Sequence, residues 1–394
     1  MTAWRLGYRY DLGISLSNSE DERKLNMAVK IGIVGMNGIG NNHANCYKED
    51  ELADVVAVCD VIKERADAAA EKHGVKAYYT LKDMIENEPD IQVIDVTTGG
   101  IDNGSWHFEP AMEAMSYGKH VLVEKPLCND VREGREMVAF AEKQKVYLGC
   151  NLNHYFTPPA EKAKQYMESG EVGELIYCLA KMGFNGGELN YALASSDKVK
   201  GHPYFHMRAF LTHPFSVMRH FCGDITHIQT FSDRPGFRRS AGDVMVSINS
   251  IHMKFANGAV GYLLSQRGDA VYGLGGWWSL EVGGSKGTFT IENCVEKVSF
   301  WKAEKGIPAI SVPIEPEVTD FGTNDFNRTF NHRLHAFLED VDNKVSPDAL
   351  RASGRDALAV LEYVHAVQES YERGGEVVRP QPLPPLHGDP FYLK

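Results

Sequence analysis

The segment VLVEKPL, Val121 to Leu127, closes an apolar run with an acid, a base and a proline. Such a run reads as a buried strand of a parallel sheet, which sets Lys125 at the strand's carboxyl end, where open α/β sheets bind ligands. Pro126 biases its backbone away from helix. A protonated amine in that crevice can hydrogen-bond a hydroxyl and stabilise the negative charge that grows on oxygen as hydride leaves carbon. Glu124 is placed to hold that amine or a cofactor hydroxyl. The plain alternative is a solvated lysine at a strand end.

Hydride needs an acceptor, and GMNGIGNNH, Gly35 to His43, follows an apolar strand and opens a helix. Backbone amides and a helix N-terminus in that context hold a pyrophosphate. Against GxGxxG, Gly35 and Gly40 match, Asn37 stands in place of the middle glycine, and Gly38 supplies flexibility one position later, with Ile39 between. Asp60 ends the next strand at the distance where an acid meets ribose hydroxyls, which favours NAD over NADP. A simple strand-to-helix turn and a helix N-cap are the structural alternatives.

These residues need a scaffold, and composition bounds it. The chain has 394 residues, 43% of them apolar, with a formal charge of −12 and a pI near 5.7. That length suggests two domains. No long block of Lys and Arg marks a nucleic-acid or membrane surface, so the expected partner is a small molecule. The seven cysteines are scattered, odd in number and never CxxC. They argue against a disulfide framework and a structural zinc site, and they fit a reduced, cytoplasmic setting. Nothing reads as a transmembrane span or a signal peptide.

From Met27 the patterns alternate: strands at Val29–Val34, Val55–Asp60, Ala77–Tyr79, Val93–Thr98, His120–Glu124 and Val146–Cys150, with helical stretches between them. Thr80 and Asp83 resemble a capping box for one of those helices. Six strands with intervening helices make a doubly wound parallel, Rossmann sheet over 27–150. Residues 1–26 read as an extension outside it. After Cys150 come a helix over Pro159–Gly170 and six β-rich runs, LIYCLAKM, DVMVSINSIHMKF, AVGYLLSQ, WWSLEVGG, GTFTIE and VEKVSFW. They predict an α+β domain over 151–394 with a mostly antiparallel sheet. Two late helices, Arg333–Asp342 and Ala349–Tyr371, are expected to pack against that sheet.

The glycine turn ending in GIGNNH, the acid ending the second strand, GKHVLVEKPL, SGEVGEL, VGGSKGTFTI and the late helical pair together resemble the Gfo/Idh/MocA oxidoreductases. The resemblance runs from about Met27 to Val378. It implies a Rossmann domain, a large open-faced sheet domain, and a site between them where NAD(P) oxidises or reduces a sugar or polyol, commonly in a dimer or tetramer. The family pattern DxGxHxxDxxRxxxG falls on RAFLTHPFSVMRHFCG, with His213 at the catalytic histidine, Arg219 at the arginine and Gly223 at the last glycine. Ala209 stands where an acid is expected, Leu211 at a glycine and Ser216 at the later acid. A histidine near its ordinary pKa suits removal of the hydroxyl proton, so His213 is the expected base. Thr97, Thr98 and His107, in a turn longer than the family's TPNxxH, flank the expected nicotinamide side.

Asn153 and His154 in NLNHYF, and His202, Tyr204 and His206 in GHPYFH, are candidates to line a sugar pocket. His202 and His206 also have a metal-like spacing, but Pro203 breaks the helix and no third ligand is evident, so no metal is expected. Trp277 and Trp278 should point to opposite sides of a strand, one stacking on a sugar face or packing in the core. The expected activity is NAD-dependent oxidation of a ring hydroxyl of a sugar, glycoside or cyclitol. The same scaffold also carries NAD-using glycosidases and non-catalytic dinucleotide-binding regulators.

Overall fold

The computed structural model describes residues 28–99, 106–184, 186, 201–273, 276–303 and 315–384. Its first sheet is parallel, with strands β1 (Val29–Val34), β2 (Ala53–Cys59), β3 (Lys76–Tyr78), β4 (Val93–Val96), β5 (His120–Val123) and β6 (Leu148–Cys150). Their spatial order is β3-β2-β1-β4-β5-β6. The winding direction reverses between β1 and β4, and a crevice opens at the strands' carboxyl ends there. Helices α1 (Gly38–Lys48), α2 (Lys63–His73), α3 (Leu81–Asn87), α4 (Phe108–Ser116) and α5 (Val131–Gln144) make the crossovers. The strands are apolar on both faces because helices cover both, and β4 is buried throughout.

Local signals fix the helix ends. Asp130 accepts the Arg132 N–H to cap α5, and α2 stops at Gly74, which takes the left-handed conformation at φ 73°. Thr80 caps α3 by accepting the Asp83 N–H, one half of the expected box.

After β6 come a 3₁₀ turn (Asn153–Tyr155), α6 (Pro158–Glu168), β7 (Leu175–Met182), α7 (Phe205–Phe210), α8 (Thr212–Cys222), β8 (Ile225–Asp233), α9 (Gly236–Ser240), β9 (Ile248–Phe255) and β10 (Val260–Gln266). The chain then runs through β11 (Trp278–Gly284), β12 (Gly287–Glu292), β13 (Lys297–Lys302), β14 (Glu317–Asp320), α10 (Arg328–Asp342) and α11 (Gly354–Glu372). The second sheet has eight strands in the order β14-β13-β12-β11-β7-β10-β9-β8. Among the described strands of this sheet only the β7–β10 pair is parallel. Cys178, Ala180, Met182, Leu263, Leu280, Val282 and Phe289 bury one face against helical residues such as Phe215, Val364 and Val367. Leu179, Phe231 and Val260 stay exposed on the opposite one.

Two departures from the sequence pattern have physical causes. β8 and β14 carry no clear strand signal because they are the sheet's two edges, and half-exposed strands lose the apolar alternation. The late helices do not both pack on the second sheet. α10 sets Leu334, Phe337, Leu338 and Val341 against Ile31, Ile33 and Leu122 of the first sheet and Tyr47 of α1. α11 bridges the two cores, with Leu358 and Leu361 in one and Val360, Tyr363 and Val364 in the other.

Candidate active site

The glycine turn sits where β1 meets α1. Gly35 has φ 98°, and a Cβ there would meet the Thr98 backbone nitrogen at 2.8 Å, so no other residue fits. A Cβ on Gly40 would strike the Gly35 carbonyl and the Thr97 hydroxyl. Asn37, by contrast, is extended (φ −92°, ψ −158°), so the position lacking the family's middle glycine needs none for its conformation. Asn37, Gly38 and Ile39 face outward at the start of α1, and nothing lies within 4 Å of a Cβ built on Gly38. That open mouth at a helix N-terminus fits a pyrophosphate.

Asp60 and Thr97 hold this turn. Asp60 Oδ2 accepts the Met36 N–H at 2.8 Å and its Oδ1 accepts the Ile62 N–H at 2.9 Å. Thr97 donates its hydroxyl to the Gly35 carbonyl at 2.7 Å, and Thr98 to the Trp106 carbonyl at 2.6 Å. Residues 100–105, the inserted part of that loop, lie outside the described residues. His107 is buried and donates from Nδ1 to the Pro126 carbonyl at 2.8 Å, so it pins the backbone next to Lys125; burial lowers its pKa.

Beneath Lys125 lies a charged network. His43 Nδ1 contacts Asp95 at 2.8 Å and its Nε2 contacts Glu124 Oε1 at 3.1 Å, with both His43 and Asp95 fully buried. Burial alone would lower His43, but the two carboxylates outweigh it and hold its pKa up at about 10. Burial would likewise raise Glu124, yet His43, Lys125 and Asn151 hold it down at about 2. Glu124 Oε1 also accepts from Asn151, and Oε2 accepts the Lys125 backbone N–H at 3.0 Å. The carboxylate therefore faces inward and grips the main chain rather than the lysine's amine. No spacing in the sequence links His43, Asp95 and Asn151, although the aspartate inside the apolar run VIDV signals a buried partner.

Above Lys125 the surroundings change sign. His154, from the 3₁₀ turn, and His213, in the first turn of α8, stack face to face with ring centroids 3.8 Å apart and planes 10° apart. Trp278 donates its indole N–H to His154 Nδ1 at 3.0 Å. Burial and then Lys125 push His154 down to about 3; burial, His154 and Lys125 put His213 well below its ordinary value. His213 thus departs from the near-ordinary pKa expected of it. Among the described residues no carboxylate replaces the acid missing at Ala209 and His213 Nδ1 is buried without a partner, while the Ala209 carbonyl accepts from Lys125 Nζ at 3.5 Å.

The fold thus brings Lys125, His154 and His213 together and leaves other candidates elsewhere. Asn153 donates to the Thr329 hydroxyl at 2.7 Å, toward α10. His206 is buried on Ser265, at 3.0 Å, and Tyr204 packs on Tyr371 of α11. His202 is half-buried just before α7. Trp278 is the inward tryptophan and Trp277 the partly exposed one, edge-on to His154. Arg219 does not enter the crevice; it ties the end of α8 to Asp224 and Asp356. Among the described residues no three His, Cys, Asp or Glu side chains gather as a metal site.

A sheet of this order with a glycine turn at its switch point, joined to a second, mostly antiparallel sheet, defines a dinucleotide-binding fold. Residues 29–152 match the model of the Gfo/Idh/MocA oxidoreductase family, NAD-binding Rossmann fold, and residues 160–290 match that family's C-terminal domain. The chain belongs to this family. It is 26% identical over 350 residues to myo-inositol 2-dehydrogenase of Thermotoga maritima, covering 87% of this chain and 96% of the relative. A glucose-6-phosphate 3-dehydrogenase of Bacillus subtilis is 26% identical over 147 residues, 37% of this chain and 40% of its own. Levoglucosan dehydrogenase, solved with NADH and levoglucosan, shares the fold at a TM-score of 0.73 and 19% identity, over 90% of this chain and 99% of that one.

Proposed function

We propose that this protein oxidises a ring hydroxyl of a sugar, glycoside or cyclitol with NAD, using Lys125 to polarise the oxygen and His213 to take its proton. The convergence of Lys125 with a neutral histidine pair at the mouth of β5 carries this reading. Relatives named for inositol and glucose-6-phosphate dehydrogenation support the substrate class.

Bound NAD supplies the hydride acceptor. Gly35, Gly38 and Gly40 would cradle the pyrophosphate, with Asn37 and Ile39 at its edge. Asp60 would accept from the ribose and repel a 2′-phosphate, while Thr97, Thr98, His107 and Glu124 shape the nicotinamide end, the last two by fixing the backbone around Lys125. In the chemical step the C–H hydrogen leaves carbon with its electron pair, the O–H proton passes to His213, and the carbonyl forms. Lys125 stabilises the charge on oxygen throughout. Because His213 is depressed, it is neutral and ready to accept at neutral pH, and the acid limb of kcat/KM lies below pH 6.5.

Cofactor binding falls within 27–150 and the other substrate contacts within 151–394, with Lys125 reaching the substrate from the first domain and α10 returning to the first sheet. Leu179, Phe231 and Val260 on the open sheet face support a homo-oligomer, and seven buried, unpaired thiols support a reducing, cytoplasmic setting. NADH formation over a panel of sugars, glycosides and inositols, with products analysed, tests the reading. Hydrolysis without net NADH would assign the protein to the NAD-using glycosidases instead.

A further inference from the structure

His154 and His213 have the same chemistry and lie face to face, so either could take the substrate proton. The hydrogen bond from Trp278 distinguishes them. An indole nitrogen only donates, so the nitrogen that receives it must hold a lone pair. That nitrogen is His154 Nδ1, at 3.0 Å, with Trp278 1% and His154 2% exposed. An imidazolium, or the tautomer protonated at Nδ1, would set two hydrogens against each other in a site that water does not reach.

We propose that Trp278 locks His154 as the neutral Nε2–H tautomer, making it a hydrogen-bond donor to a substrate oxygen and leaving His213 as the pair's proton acceptor. Trp278 is then a positioning residue acting through His154. The assignment rests on the dehydrogenase reading for its substrate and on the indole geometry for its tautomer.

The surroundings agree on every side. Among the described residues, the titratable and charged groups facing His154 are His213 on α8, Lys125 after β5 and the buried Cys294 after β12, whose thiol donates to the His154 carbonyl at 3.3 Å. None of these is a carboxylate that could draw a proton onto Nδ1. Phe326 and Trp277 pack against the ring edge-on, with centroids 5.0 Å and 6.3 Å away. Stacking His213 on a ring that stays neutral leaves room for one proton on the pair, whereas two imidazoliums at that distance would repel. Among the described residues His213 Nδ1 has no such donor against it.

Two measurements test this. In protein labelled with ¹⁵N-histidine, the resonances that vanish in His154→Gln identify His154; they should show the Nε2–H tautomer and no titration between pH 5.5 and 8, about the range around a free histidine. In Trp278→Phe the tautomer preference should weaken. An Nδ1–H pattern, or titration in that range, overturns the proposal on the wild type alone, whether or not the tryptophan variant folds. The kinetic arm compares two replacements. Gln places an amide N–H near the position of Nε2, whereas Asn places its amide near Nδ1. His154→Gln should therefore keep KM for the sugar within a few-fold of wild type, and His154→Asn should raise it about tenfold or more, as for one lost hydrogen bond. The acid limb of kcat/KM should persist in both. Its loss in His154→Gln, with His213 intact, would make His154 the base and overturn the assignment. A wild type that forms no NADH from any polyol overturns the dehydrogenase reading instead, so the two failures are distinct.

Discussion

The two sides of Lys125 hold histidines that are equally buried and oppositely tuned. His43, between Asp95 and Glu124, is held up at about 10, while His154, against an indole and an ammonium, is pushed down to about 3. Burial works against the charge in both cases. Two carboxylates within hydrogen-bond reach overcome it in one; among the described residues nothing anionic opposes it in the other. Lys125 belongs to both regions, its backbone N–H to the charged one and its ammonium to the neutral one. The lesson is that a buried histidine's role is set by its partners, and that one lysine can be anchored by a charged floor while it works against a neutral ceiling.

The sharpest way to break this contrast is His43→Leu. It leaves Asp95 and Glu124 buried without their cation and should cost about 3–5 kcal/mol of stability by urea unfolding. A loss under about 1 kcal/mol would mean that the network is not charged. Adding Glu124→Gln to that variant should recover part of the loss.

Next in size is Lys125→Ala, which spares the main-chain bond to Glu124 and removes the ammonium. It should lower kcat by ~10²-fold or more with NAD affinity nearly unchanged. Unaltered turnover would return the lysine to the solvent-facing alternative. Arginine should serve poorly there, since a planar guanidinium does not replace a compact ammonium at one oxygen.

Stability against pH reads both regions at once. His43 binds its proton more tightly folded than unfolded, so its contribution is complete below pH 6.5 and fades as pH rises toward about 10. His154 does the reverse: its contribution is complete above pH 6.5 and fades as pH falls toward about 3. Glu124 adds to that acid loss between about pH 4.5 and 2. Urea midpoints at pH 5, 7 and 9, roughly spanning these windows, should show the alkaline slope flattened in His43→Leu and the acid slope in His154→Gln. Parallel profiles for wild type and both variants would refute the opposed tuning.

The smallest expected effect is at Asp60. Asp60→Ser should narrow the preference for NAD over NADP by about tenfold or less, ~1.4 kcal/mol. It should also weaken NAD itself, because the carboxylate holds the Met36 N–H of the glycine turn. Tighter binding of NADP than NAD by the wild type would overturn the cofactor assignment.

The sequence by itself determined the first sheet, the glycine turn and the place of Lys125, because these depend on neighbours along the chain: continuous apolar runs, glycines at one bend, a proline after a lysine. It also indicated His213 through a spaced pattern. Only tertiary structure decided what surrounds them. His43 and Asp95 come from α1 and β4, and His154 meets His213 and Trp278 from three separate elements, 59 and 124 residues along the chain from His154. Asn153, Tyr204 and His206 are polar residues in or beside short helices, yet the fold turns them toward α10, α11 and β10. A residue's type and spacing restrict its chemistry, but its pKa and tautomer follow from which donors, acceptors and charges the fold brings within a few ångströms. Apart from the aspartate in VIDV, that proximity has no local trace in the chain.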